Sequence, residues 1–453
     1  MKHDLIPHTA VTDVFNCVLE ACVEAGTPLC IAYSGGMDST VLLHVAAQQT
    51  AHPVRAVYVN HGLVPEASEW AAHCQRICRQ LDVSFTALDV VVDATNQQGL
   101  EAAARMARYG ALRASLAADE ILLTAHHEQD QMETFLLQML RGAGVRGLSS
   151  MPVRNDRGGV IHVRPLLNVA SDTLRTYAET AGLEWVEDPS NTQLKFDRNY
   201  LRHEVLPVIG QRWPVAARAI ARSARLNAEA AKLLDGLAED DLAGLVAGHR
   251  LEMGRLEELP MSRRKNAVRF LLRRWEMAVP SETQLNQALR CLFDARGDSQ
   301  PEAAWPGVRI RRYRSALWFY AENDDPLAQR SVVAEAYHWD TQTSLDMGPV
   351  RGMLEFSHVR GEGIAKRCID GPLQVRFRTG GERLRPTAKA RTRDLKNLLQ
   401  ESSILPWMRG HIPLIYSGEQ LLAVGDLWVD AACAAGPAET GHQVQWTGHA
   451  PIC

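Results

Sequence analysis

The 453-residue chain has no run of about 18 consecutive apolar residues, so nothing in it reads as a membrane-spanning helix. Its first residues, MKHDLIPHTA, lack the charge, apolar stretch and small-residue cleavage site of a secretory leader. The expectation is a soluble, cytoplasmic protein with no membrane partner. Its nine cysteines form no C-x-x-C pair, which argues against a zinc ribbon, and their odd number argues against a disulfide framework. Cys74 and Cys78, four apart among apolar neighbours, are expected in a helix core. Basic charge is not in excess either: 49 Lys and Arg stand against 53 Asp and Glu, a net charge of −4. A generic nucleic-acid binder would be basic overall, so any such contact must come from local patches. No internal repeat and no obligate protein partner is evident.

Hydrophobic residues make up 46% and charged residues 23%, a folded composition. At about 150 residues per domain, the length predicts roughly three domains. Strand-like runs at 29–33, 54–59, 85–92 and 121–124 alternate with helical periodicity at 38–48, 70–81, 100–116 and 130–140. That alternation predicts an α/β fold, a doubly wound parallel sheet, over residues 1–210. Ligands of such sheets sit beyond the carboxyl ends of the strands. Residues 211–335, rich in Ala, Leu, Arg and Glu, are expected to form a helical domain, with a connection over 321–347. Residues 349–453 are expected to form a small α+β domain.

Ser34-Gly35-Gly36-Met37-Asp38-Ser39 follows the first predicted strand. Glycines let the backbone turn tightly towards a phosphate, and a helix start offers unpaired N–H groups with partial positive charge. Asp38 beside an anion is repulsive unless a cation intervenes, which points to Mg2+ bridging Asp38 and phosphate oxygens. The segment lacks the lysine and the longer glycine spacing of a Walker loop. Asp130 and Glu133, three apart at a predicted helix start, share one face at the same sheet edge. With Asp38 they are candidate magnesium ligands and proton handlers. His126 and His127 are adjacent on a turn and point apart, so a contact or packing role is expected rather than joint chelation. Arg105 and Arg108 share a helix face suited to phosphate or an RNA backbone.

The loop matches S-G-G-x-D-S, and the chain resembles the PP-loop ATP pyrophosphatase superfamily, whose members cleave ATP between the α- and β-phosphates and adenylate a substrate oxygen. Further strings resemble the tRNA(Ile)-lysidine synthase family. They are Val59-Asn60-His61-Gly62-Leu63, Glu101-Ala102-Ala103-Ala104-Arg105 with Arg108-Tyr109, and His126 through Thr134. Asp188-Pro189-Ser190-Asn191, Arg198-Asn199-Tyr200-Leu201-Arg202, Gly380-Gly381-Glu382-Arg383, Leu395-Lys396 and Pro406-Trp407-x-Arg409 continue the likeness. Gln129 stands where the family usually has a first aspartate.

The resemblance implies ATP-dependent attachment of free L-lysine to the wobble cytidine of a minor isoleucine tRNA with a CAU anticodon. It implies ATP held by Ser34, Gly35, Gly36, Met37, Asp38, Ser39, Asn60 and His61, and Mg2+ by Asp38, Asp130 and Glu133. Catalysis would rest on Asp38, Asp130, Glu133 and Arg198. Arg105, Arg108, Tyr109, His127, Arg202, Arg383, Lys396 and Arg409 would meet tRNA or substrate. Two basic stretches fit a long RNA: residues 376–411 carry nine Lys or Arg against three acids, and 262–275 carry six against none. A tRNA thiolase of the same superfamily, or a tRNA-binding protein with a vestigial loop, are the other readings.

Overall fold

The computed structural model describes residues 5–60, 62, 67–92, 100–157, 159–295, 299–327, 336–340, 343–369 and 371–453. The chain divides into two compact units, residues 1–234 and 235–453.

In the first unit, α1 (Leu5–Cys22) precedes β1 (Leu29–Ala32), α2 (Met37–Gln49), β2 (Val54–Asn60), α3 (Ala67–Gln80), β3 (Ser84–Asp89), α4 (Leu100–Ser115), β4 (Ile121–Leu123) and α5 (Glu128–Leu140). A hairpin of β5 (Arg154–Arg157) and β6 (Val160–Val163) follows. The sheet order is β3-β2-β1-β4-β6-β5, parallel except for the edge pair β5–β6. Leu29, Cys30 and Ile31 of β1 are wholly buried, as expected of a central strand covered on both faces. Residues Ser39 to Ala46 of α2 are buried without interruption, so this helix is enclosed on every side rather than amphipathic. Cys74 and Cys78 lie in the same core. The chain leaves β1 for β2 on one side, while β4 lies on the other. This reversal opens a crevice at the carboxyl ends of β1 and β4, where Ser34–Ser39 and His126–Glu133 emerge.

The span expected to be purely helical is mixed. Helices Ala216–Leu242, Met261–Arg274 and Glu282–Phe293 are joined by a five-stranded antiparallel sheet drawn from residues 246–321. Its strand Val308–Tyr313 reads VRIRRY; Val308 and Ile310 enter the core with Arg309 between them, the period of two of a half-buried strand. The expected connection lies partly outside the described residues, but Ala336–Trp339 pairs with Leu373–Arg376. From there to residue 447 antiparallel strands pack around Trp339, Leu354, Leu414 and Trp446.

Candidate active site

The glycine loop is shaped from two sides. Gly35 has φ +78°, and a Cβ there would stand 2.9 Å from the Cys74 sulfur, so only glycine fits. Its carbonyl accepts the Val186 N–H at 2.9 Å, tying the loop to a distant segment. Ser39 Oγ donates to the Gly36 carbonyl at 2.9 Å and lies 3.0 Å from Ser34 Oγ. Gly36 caps α2 with no side-chain bond, leaving the first N–H groups of the helix available to an anion.

Opposite it, α5 begins two residues before the predicted start because His127 caps it. His127 Nδ1 accepts the Gln129 N–H at 3.2 Å, and Asp130 Oδ2 accepts the His127 N–H at 3.0 Å, a reciprocal capping box. The other ring nitrogen, Nε2, stands 3.6 Å from an oxygen of Asp38 and 3.6 Å from one of Asp130. Burial opposes protonation of His127, but Asp38 and Asp130 outweigh it and hold the ring above its ordinary range. Burial likewise works against ionised Asp130, yet His127 and Arg198 hold its carboxyl below the usual range.

Glu133 is fully buried. Arg198 Nε donates to its Oε2 at 2.8 Å; Arg202 donates to Oε1 from Nε at 2.7 Å and to Oε2 from Nη2 at 3.0 Å. Arg202 also reaches Asp130 Oδ1 at 3.3 Å. The two arginines are four apart on adjoining helical turns, which places both on one face.

The three carboxylates do not gather into one cluster. Among the described residues no three His, Cys, Asp or Glu side chains gather closely enough to hold a metal ion. Both Glu133 oxygens face guanidinium groups, and both Asp130 oxygens accept N–H bonds. Asp38 differs: its Oδ1 is buried and has no hydrogen-bond partner among the described residues, so it retains lone pairs for a cation. His127, expected at the substrate, has its ring buried between Asp38 and Asp130 instead.

Asn60 closes the end of β2, donating to Asp89 at 2.8 Å and accepting the Gly62 N–H at 2.9 Å. His61 and Leu63 lie outside the described residues. On α4 the guanidinium groups of Arg105 and Arg108 both lie over the Tyr109 ring, 5.1 and 5.5 Å from its centre. In the second unit Arg383 pairs with Asp394 at 3.4 Å, Lys396 is exposed, and Arg409 donates to the Ile404 carbonyl at 3.0 Å. Much of each basic stretch is ion-paired: Arg263 with Asp241, Lys265 and Arg269 with Glu282, Arg273 with Asp235, Arg376 with Glu419, and Arg393 with Glu401. Thr124, His162 and Arg164 also border this site and carried no sequence signal, because the pairing of β4 with β6 that assembles them is a crossover.

A parallel sheet with an uncapped, glycine-turned helix start at its switch point defines a PP-loop nucleotide-binding protein, and the family model described as "PP-loop domain" matches residues 9–209. Models described as "TilS substrate binding domain" and "TilS substrate C-terminal domain" match residues 251–318 and 373–446. A tRNA(Ile)-lysidine synthase of Coxiella burnetii is 41% identical over 89% of this chain and 89% of its own. Those of Alkalilimnicola ehrlichii and Nitrosomonas europaea are 40% and 36% identical, over 93% and 97% of this chain and 94% and 96% of theirs. The chain belongs to the tRNA(Ile)-lysidine synthase family.

Proposed function

We propose that this chain uses ATP to join free L-lysine to C2 of the wobble cytidine in the CAU anticodon of a minor isoleucine tRNA. The reaction proceeds through an adenylated cytidine and releases pyrophosphate and AMP, so that the tRNA reads AUA. The observation that carries this reading is the open start of α2, which carries Asp38, beside His127, Asp130 and the Arg198–Glu133–Arg202 group at one sheet edge. No described helix is long and apolar enough to cross a membrane, in keeping with action in the cytoplasm.

The N–H groups of α2, with Ser34 and Ser39, receive the triphosphate. Asp38, with its open oxygen, would hold Mg2+, which supplies charge neutralisation on the phosphates. Glu133 fixes Arg198 and Arg202 so that their remaining N–H groups meet charge on the departing phosphates. Lysine arrives as an ammonium: with a pKa of about 10.4, only about one amine in 2,500 is neutral at pH 7, a cost of roughly 4.6 kcal/mol. Asp130, ionised and less buried than Glu133, attracts that ammonium and orients it for attack. Residues 211–335 and 349–453 hold the tRNA through exposed cations such as Lys396, with Arg105, Arg108 and Tyr109 nearer the anticodon.

The test is release of pyrophosphate from ATP, with mass spectrometry of the anticodon nucleoside. Lysidine is expected only when ATP, lysine and transcript are all present, and Asp38→Asn is expected to abolish it. Unmodified cytidine in the complete mixture would refute the proposal.

A further inference from the structure

Two histidines stand side by side after β4, and the bonds around the first determine which nitrogen carries its proton. β4 and β6 run parallel with Leu122 opposite His162 and Leu123 opposite Val163, which brings Thr124 beside His162 and Arg164. Arg164 is buried, and its Nη2 lies 3.3 Å from His162 Nδ1. A guanidinium only donates, so Nδ1 accepts, and neutral His162 carries its proton on Nε2. That Nε2 lies 2.8 Å from Thr124 Oγ1. The hydroxyl accepts this bond and donates its own proton to the other neighbour, His126 Nδ1, also at 2.8 Å. Nδ1 of His126 is thereby an acceptor, and its ring proton sits on Nε2, which the relay leaves unused.

The surroundings keep both rings neutral. Burial, reinforced by Arg164 and Arg105, pushes His162 down to about 3. Burial also pushes His126 well below its ordinary range; Asp130 pulls the other way, while Arg164, Arg105 and Arg198 add to the push. Tyr109 packs against His162 with ring centres 5.9 Å apart. His127, one residue on, is shifted the other way, upward, because Asp38 and Asp130 outweigh its burial.

We propose that Arg164, His162 and Thr124 form a one-directional relay that fixes His126 as a neutral Nε2–H donor to a substrate oxygen, phosphoryl or carbonyl. Arg164, His162 and Thr124 are positioning residues. His126 polarises that oxygen as charge develops on it and does not act as the base. The identity of the oxygen rests on the function proposed above; the tautomer does not.

Nitrogen-15 spectra of the full-length protein labelled at histidine test this, with His126 assigned by the signal lost in His126→Gln. The expected result is a protonated Nε2 and a bare Nδ1, unchanged from about pH 5.5 to 8. Thr124→Val keeps the side-chain shape but removes the link; it is expected to give mixed tautomers and a loss of kcat with KM for ATP unchanged. A proton on Nδ1, titration with a midpoint near the ordinary 6.5, or an unaltered His126 spectrum in Thr124→Val overturns the relay. Adding a non-cleavable ATP analogue or the tRNA transcript separately identifies the acceptor. A shift of the Nε2–H signal with nucleotide assigns a phosphoryl oxygen, a shift with transcript alone assigns a carbonyl, and no shift with either overturns the donor role. Failure to make lysidine with the stated tautomer intact would refute the function and leave the relay standing.

Discussion

Glu133 in the first unit and Glu282 in the second are built from the same parts. Each carboxylate receives two cations four residues apart, Arg198 and Arg202 in one case and Lys265 and Arg269 in the other. The Glu133 side chain is 0% exposed and that of Glu282 56%. The cations are alike, 22% and 32% exposed at Glu133 and 21% and 32% at Glu282, so the two groups differ in the carboxylate, which water reaches only at Glu282. Burial decides what the arrangement is worth. The same comparison tempers the basic stretches, where charge counted along the sequence says little about charge left over for a partner.

The sharpest way to break the comparison is Glu133→Gln. It is expected to lower stability by about 3–5 kcal/mol, read from the denaturant midpoint, and to lower turnover as well. A variant as stable as the parent would show that burial is not the divider. Arg202→Lys should come next, with a loss of about 1.5–3 kcal/mol, because an ammonium cannot reproduce the forked contact with both Glu133 oxygens.

Acid and salt sharpen the contrast further. Asp130 lies below its unfolded value, so the stability it contributes is present above about pH 4 and is lost as pH falls through its folded value. Glu282, held below its ordinary range by Lys265 and Arg269, follows the same sign with a much smaller stability at stake because water screens it. In about 1 M salt the Glu282 midpoint should rise towards 4.5 while that of Asp130 stays nearly fixed, as carbon-13 titration of both carboxyls would reveal. Equal movement would contradict the distinction. The smallest effect belongs to Glu282→Gln, about 0–1 kcal/mol by the same denaturant measurement.

The sequence made the glycine loop, the order of strand and helix through residue 140, and the edge where ligands gather legible, because local periodicity and glycine placement encode them. It also marked Glu133, Arg198 and Arg202, but not that they bind one another, since 65 positions separate Glu133 from Arg198. Spacing on a helix shows a shared face, not what opposes it. His126 and His127 looked equivalent, and their divergence depends on His162, a residue brought near by strand order alone. The antiparallel sheet of the second unit escapes a sequence reading because its strands are short, each spanning two to six residues, although the alternation in Val308–Tyr313 is there to be read.

Gly35 takes its shape from a peptide that lies some 150 residues further on, through the Val186 N–H bond. As a nascent chain lengthens from its amino end, the signature motif is made early, yet the grip it provides has to wait until that later stretch has been synthesised and docked. A fragment ending before Val186 would carry every letter of the motif with the Gly35 carbonyl unclaimed.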